Sequence, residues 1–439
     1  MAKTSTSTPR SSNVGSSSSS PMVTLAEDHL FTILLLLPVD SLISFAMTCK
    51  RFRSLTTSDT LWESICRREW GSTSVDAFKS SINTSKNQQL PWMRLYKQVS
   101  QLDSFSCHKL PDPDSELMLP TPRASHSLNF VSDCLVLFGG GSEGGRDLDD
   151  TWVAYIGNDF QRMLKWQKVN SGIPSGRFGH TCVVIGDNLV VFGGINDHGM
   201  RQNDTWVGAS SNMTMVIHGG IGLYGLRLGD TWILEVPENF CSGTWRELVA
   251  HPSPPPRSGH TLTCIEGTGT VLFGGRGLGY DVLHDVWLLQ ESEDQLKWVQ
   301  MFYNLQDIPE GVSLPRVGHS ATLILGGRLL IYGGEDSQRH RKGDFWVFDA
   351  SKIPSIKEQS TPSNSMGLQA NMWRRLKAKG YKPNCRSFHR ACADHSGRRL
   401  YVFGGMVDSL LHPTEASELR FDGELFLVKL ELETGSVRC

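Results

Sequence analysis

The chain is expected to be mainly β: a β-propeller on a six-blade plan with one defective blade junction, preceded by a small all-α module. Three observations predict this. Diglycines follow apolar runs six times, at Gly139-Gly140, Gly193-Gly194, Gly219-Gly220, Gly274-Gly275, Gly333-Gly334 and Gly404-Gly405. Each belongs to a longer unit that opens on Arg-x-x-His, runs through an alternating apolar strand to Gly-Gly, continues to Asp-x-Trp and closes on a lone Trp. Residues 24–70 change from period two to helical period, with Leu30, Ile33, Leu34 and Leu37 on one stripe.

The first unit shows every part: Arg123 and His126, the strand before Gly139, then Asp150, Trp152 and Trp166. Later units open at Arg177/His180, Arg257/His260, Arg316/His319 and Arg386/His389. A unit of about fifty residues with four short strands cannot bury both faces alone, so neighbouring units stack radially and cover one another. Glycine after the second strand admits backbone angles closed to other residues and lets chains approach closely. Features that recur once per unit are explained by folding rather than by chemistry.

The unit resembles the kelch repeat, over residues 104–432, through its diglycine and its later paired aromatics. The resemblance implies a kelch-type β-propeller. The last unit stops without a closing Trp, and upstream of Arg123 lies Cys107-His108-Lys109-Leu110, which aligns with Trp166-Gln167-Lys168-Val169 and Trp373-Arg374-Arg375-Leu376. This amino-terminal strand is predicted to close the final blade, since a propeller must remove its open edges. Such closure places the helical module on the face of the first-to-second-strand hairpins and leaves the diglycine face free.

The helical module carries capping boxes at Thr24/Glu27 and Thr60/Glu63, a helix stop at Pro38 and a cap at Asp40. A bundle this small is expected to find a partner for an apolar face. Its run from Leu25-Ala26-Glu27 to Leu61-Trp62 resembles an F-box, with Ala26 where proline usually stands. That resemblance implies docking to an Skp-type linker protein, and through it a cullin, by Leu30, Leu34, Leu37, Pro38, Leu42 and Trp62; about half of these filling the bundle core is the alternative. The chain thus divides into a Ser-rich tail (1–22), an F-box (23–70), a linker with a helical segment (71–103), the propeller (104–432) and a short tail (433–439). Light-sensing relatives of this layout place a flavin domain ahead of the F-box, for which the first 23 residues leave no room.

Of 439 residues, 43 are Lys or Arg and 45 Asp or Glu, giving a net charge of -2 that draws the chain neither to nucleic acid nor to anionic lipid. Ten cysteines without a Cys-x-x-Cys pair suit reduced thiols in the cytoplasm or nucleus. The longest apolar run, 30–39, is half the length that spans a bilayer. The Ser- and Thr-rich start reads as a disordered polar tail, with an organelle transit sequence as the alternative. Residues 351–371, rich in Ser, Pro and Gln, read as a flexible outer loop.

No P-loop, nucleophile elbow or zinc helix occurs, so no catalytic residue, metal or cofactor is assigned. The rival is a kelch enzyme with a Glu-x-x-x-Asp-x-x-x-His iron site; here Glu418, Arg420 and Asp422 lead to Phe426, where that site needs histidine. A substrate receptor of an SCF-type ubiquitin ligase is the better reading, and a non-ubiquitin kelch scaffold is the other alternative. Arg146, Arg201, Arg227 and Arg341, five or six residues before a Trp in the loops after the diglycines, form a candidate ring for an acidic or phosphorylated protein segment. Packing against neighbouring Trp rings is their other reading.

Successive diglycines begin 54, 26, 55, 59 and 71 residues apart. The short interval lacks both a closing Trp strand and an Arg-x-x-His strand, about 28 residues against its neighbours. A shortened product of a six-blade parent, for example by altered splicing, accounts for six diglycine strands beside five Arg-x-x-His strands, with unpaired edges that weaken the ring. Inserting a two-strand segment between Trp206 and Val216 should raise the thermal midpoint of unfolding; an unchanged midpoint counts against the idea.

Overall fold

The structure, a computed structural model, describes residues 21–83, 90–110, 118–156, 165–169, 174–207, 213–237, 243–266, 268–292, 295–301, 314–350, 353, 372–408 and 419–432. Two compact units divide the chain, Met1–Ile65 and Cys66–Cys439. Helices α1 (Glu27–Leu36), α2 (Val39–Ala46) and α3 (Lys50–Thr56) lie in the first, and α4 (Asp59–Trp70) runs across the boundary. Helices α5 (Ser72–Asn83) and α6 (Trp92–Ser100) follow in the second.

Pro38 does separate α1 from α2, because its ring disfavours helix at Leu37. The caps differ from expectation. Thr24 ends a short 3-10 turn, and α1 begins at Glu27 behind Ala26 with no side-chain cap. Asp40 lies inside the first turn of α2, where its charge opposes the positive helix end, and Pro38 takes the cap position. α4 starts one residue ahead of Thr60. An unforeseen cap is Cys49, whose Sγ accepts from the Phe52 amide at 3.5 Å to start α3.

The strands of the second unit form six blades. Blade 1 is Ser127–Val131, Cys134–Phe138, Thr151–Tyr155 and Trp166–Val169, all antiparallel. Blades 4 and 5 repeat the plan, from Thr261–Ile265 to Gln295–Met301 and from Ser320–Ile324 to Trp373–Gly380. Blade 6 has three strands from the carboxy-terminal end, Arg390–Ala393, Arg399–Phe403 and Leu425–Leu430, and takes Ser104–Lys109 as its fourth. Phe105 to Lys109 pair antiparallel with Leu430 to Phe426, and Cys107 is buried in that strand, so the amino-terminal segment closes the last blade. The same strand also pairs in parallel with Trp373–Gly380, fusing blades 5 and 6 into one eight-stranded sheet.

Blades 2 and 3 are incomplete. Among the described residues, blade 2 has Thr181–Ile185, Asn188–Phe192 and Thr205–Val207 without an outer strand, and blade 3 has Met213–Ile221, Arg227–Val236 and Thr244–Glu247 without an inner one. Their faces meet nonetheless. Val190 and Phe192 of blade 2 pack with Met215, Leu234 and Trp245 of blade 3, and Val216 on the other side of blade 3 packs with Leu272 and Trp287 of blade 4. Trp206 and Val207, on the uncovered edge of blade 2, are each 39% exposed.

The repeated motif forms one joint. Arg123, fully buried, donates from Nη1 to the Gly139 carbonyl at 3.0 Å and to Asp150 Oδ1 at 2.6 Å, and from Nη2 to Asp150 Oδ2 at 3.1 Å. The Trp152 indole donates to the same carboxylate at 2.7 Å. Arg177–Asp204–Trp206, Arg257–Asp285–Trp287 and Arg316–Asp344–Trp346 repeat this arrangement. The joint also ties blade to blade. Gly140 donates its amide to the carbonyl of Arg177 in the following blade at 2.9 Å, and a Cβ at Gly139, which has φ +64°, would stand 2.8 Å from that oxygen. Diglycine is therefore required by the neighbour, as well as by its own backbone angles.

Near the axis the residue two after each arginine joins a backbone chain: Gly179 donates to Ser125 at 2.8 Å, Ser125 to Phe388 at 2.8 Å, Phe388 to Gly318 at 2.6 Å and Gly318 to Gly259 at 3.0 Å. Helices α5 and α6 lie against first-to-second-strand hairpins. The Arg398 guanidinium of the blade 6 hairpin sits 5.3 Å from the Phe78 ring of α5, and a Cβ at Gly326 in the blade 5 hairpin would meet Val99 of α6.

Two expectations follow. Asp285→Asn breaks a buried ion pair and should destabilise the propeller by about 3 kcal/mol, whereas Asp230→Asn, in the blade whose inner-strand arginine is missing among the described residues, should stay within about 0.5 kcal/mol; paired denaturant titrations compare them. Burial, with arginine charge beside them, holds His126, His319 and His389 well below the ordinary imidazole value, and His180 and His260 at about 3. Their contribution is complete above the unfolded value near 6.5 and is lost below it, at about 1.4 kcal/mol per histidine per pH unit. The melting temperature should therefore begin to fall near pH 6.5. Asp150, Asp204, Asp285 and Asp344 are held low despite burial by their arginines, so their loss comes only below about pH 4. A melting temperature that is flat from pH 7 to 5 would overturn the histidine assignment.

Candidate partner-binding surfaces

In the first unit the expected docking residues are mostly interior. Leu30, Leu34, Leu42 and Trp62 are buried, Leu37 is half-buried and Pro38 is exposed. The Trp62 indole donates to the Thr56 carbonyl at 2.7 Å, and Phe45 stacks on Phe52 at 4.0 Å between centroids. The apolar groups turned to solvent are others: Leu36 (80% exposed), Ile43 (56%) and Met47 (76%). Ile43 on α2 and Met47, which caps its carboxy-terminal end, are one helical turn apart, and Leu36 ends α1 two residues before Pro38. Sequence reading passed over them because the same apolar stripe serves core and docking alike; their spacing off the Leu30–Leu34 register was the available signal.

On the propeller, the four loop arginines do not form an equivalent ring. Arg201, Arg227 and Arg341 occupy one register, each opposite the residue after its diglycine, namely Ile195, Ile221 and Glu335. In blade 1 that register belongs to Asp147, opposite Gly141, and Arg146 pairs with Ser142. The one-residue difference in spacing before Trp152 is the cause, since a shift of one turns a strand residue to the other face.

Their surroundings differ too. Arg341 is neutralised by Asp408 and lies 3.8 Å from Glu335, which in turn binds Arg276 at 2.9 Å. Arg227 lies 4.5 Å from the Tyr280 ring and donates to Ser258 Oγ at 3.2 Å. Arg146 is exposed and Arg201 half-buried, and among the described residues neither side chain has an ion-pair partner. Tyr224 (95% exposed) and Tyr280 (71%) project from adjacent loops on backbones with φ +58° and +65°.

The candidate iron site resolves otherwise. Glu418 lies outside the described residues. Asp422 and Glu424 bind Arg386 at 3.5 and 2.6 Å, and Phe426 lies under its guanidinium at 5.1 Å, so these carboxylates complete the blade 6 joint. Among the described residues no cluster of three metal-binding side chains occurs, and no helix is long and apolar enough to cross a membrane.

Comparison with known proteins agrees with this architecture. The F-box-like profile matches residues 27–68, and the KLHDC2/KLHL20/DRC7 Kelch-repeats domain profile matches 98–214 and again 205–349. F-box/kelch-repeat protein At1g51550 of Arabidopsis thaliana is 56% identical over 456 residues, covering 95% of this chain and 94% of that protein. The chain belongs to the F-box/kelch-repeat family. The two kelch matches meet at 205–214, within the shortened repeat. Putative adagio-like protein 2 of Oryza sativa subsp. japonica is 28% identical over 84% of this chain and 52% of its own length, and Adagio protein 3 of Arabidopsis thaliana 27% over 85% and 51%. This F-box/kelch chain thus spans about half the length of its adagio relatives.

Proposed function

We propose that this F-box/kelch protein is the substrate receptor of an SCF-type ubiquitin ligase. Its F-box docks an Skp-type linker, which connects it to a cullin, and its propeller holds the protein to be ubiquitinated. The observation that carries the reading is the exposure of Leu36, Pro38, Ile43 and Met47 on an F-box whose Leu30, Leu34, Leu42 and Leu61 are buried. Apolar side chains at helix ends in a small bundle favour burial against a groove on a partner. The chain itself supplies no chemistry in this role: it raises the local concentration of a target near the bound conjugating enzyme and fixes its orientation.

The substrate lies on the diglycine face, where long loops stand on a rigid ring. Arg146 and Arg201 remain open there to a carboxylate or phosphate of an acidic or phosphorylated segment, while Arg227 is engaged by Tyr280 and Ser258 and Arg341 already serves Asp408. Cytoplasm and nucleus are the compartments that fit reduced cysteines and a cullin partner.

Replacing Leu36, Ile43 and Met47 together by Asp should abolish co-purification with the Skp-type linker, a loss of about a hundredfold or more, without lowering the melting temperature. Leu34→Ala should instead cost about 2–5 kcal/mol of F-box stability. Linker capture that survives the triple change in a folded protein would overturn docking through these three residues, and failure of the unchanged protein to capture the linker would remove the ligase assignment and leave a non-ubiquitin scaffold.

A further inference from the structure

Blade 3 keeps half of the arginine joint. Asp230 accepts the Trp232 indole on Oδ2 at 2.7 Å, the distance found at Trp152, Trp287 and Trp346. Gly219 and Gly220 hold φ of +62° and +102°, matching +64° and +101° at Gly139 and Gly140. Elsewhere the first diglycine carbonyl and the aspartate together take an arginine fork, at 3.0 and 2.6 Å for Arg123 and 3.0 and 2.7 Å for Arg257. Between Arg201 and Arg227 the sequence has no arginine or lysine. Arg227 is engaged by Tyr280 and Ser258, and Arg257 by Asp285. Among the described residues no cation pairs with Asp230.

A second observation points to the same place. The axial backbone chain stops at two exposed glycines that flank the incomplete blades. The Gly259 amide and the Gly179 carbonyl have no backbone partner among the described residues, although the other members of the chain are bonded on both sides.

We infer that blade 3 carries a recognition socket for an arginine on an extended segment of a partner protein, with a small residue two positions after that arginine. The Asp230 carboxylate and the Gly219 carbonyl receive the guanidinium, and the partner's backbone bridges Gly179 and Gly259. Arginine is selected over lysine because only a planar fork meets two carboxylate oxygens and a carbonyl at once. Main-chain bonds from an added strand then supply affinity that is largely independent of the other side chains. The socket lies on the diglycine face, and it is built from groups distinct from the loop arginines.

The test uses the full chain and a fluorescent synthetic peptide copying residues 314–325, the Arg316-Val317-Gly318-His319 strand of blade 5. Saturable binding is expected, with a melting temperature that rises with peptide concentration. Asp230→Asn in the protein, or lysine or methionine for the peptide's arginine, should each weaken binding about tenfold or more. Trp232→Phe, which removes the indole donor that orients the carboxylate, should weaken it less. No saturation at millimolar peptide, or an affinity indifferent to both Asp230→Asn and the loss of the peptide's arginine, overturns the socket. Linker binding by the F-box is read separately, so loss of either result leaves the other standing.

Discussion

The buried fork between an inner-strand arginine and the aspartate of Asp-x-Trp is the interaction on which the ring depends. A guanidinium at Arg123, Arg257 or Arg316 is fully covered by protein, and a charge placed there is tolerable only with a bidentate partner and further acceptors. Blades 1, 2, 4 and 5 supply both, a carboxylate oriented by an indole and a diglycine carbonyl, and blade 6 offers Arg386 the Gly404 carbonyl with Glu424 and Asp422. The net energy of such a pair against apolar side chains is small, so its contribution is geometric. It fixes where the inner strand begins relative to the second and third strands, and the arginine's own carbonyl then receives the glycine amide of the preceding blade. One motif therefore sets both the blade and its junction.

Histidine three residues on from each arginine completes the junction from the apolar side. His180 packs on Phe138 of the preceding blade at 5.2 Å, His319 on Phe273 at 5.1 Å and His389 on Tyr332 at 4.9 Å. Neutral imidazoles fit these contacts and charged ones do not, because burial disfavours the charged form and nearby arginine charge adds to it. The fold thus gains its joints at the expense of acid tolerance. Where the chain omits one Arg-x-x-His strand, the blades still meet through aliphatic and Trp contacts, because hydrophobic packing is not directional. What is lost there is the polar half of the joint, which leaves Asp230, among the described residues, with its tryptophan and no arginine.

The repeat made the propeller legible. Period-two apolar strands, diglycines and the orphan segment around Cys107 led to blades and to closure by the amino-terminal strand, because each is a local rule applied many times. The helical module was legible as a module, and less so in detail. Cap positions moved by two residues, with Ala26 rather than Thr24 ahead of α1 and Pro38 rather than Asp40 ahead of α2. The exposed apolar residues of the F-box were the least legible. An apolar stripe shows which residues leave water without showing whether they go into the bundle or onto a partner. Leu34 and Leu36 differ by two positions and lie on opposite sides of that decision.

Sequence alone determined the blade unit, its defective junction, the chain segment that closes the ring and the family to which the chain belongs, because these rest on periodicity and on glycine and proline stereochemistry. Tertiary structure decided which loop arginines are spent on Glu335, Asp408 or Tyr280, that blades 5 and 6 share a sheet, and which F-box leucines face outward. Those outcomes depend on side chains brought together from segments tens to hundreds of residues apart, a distance over which no local pattern carries information.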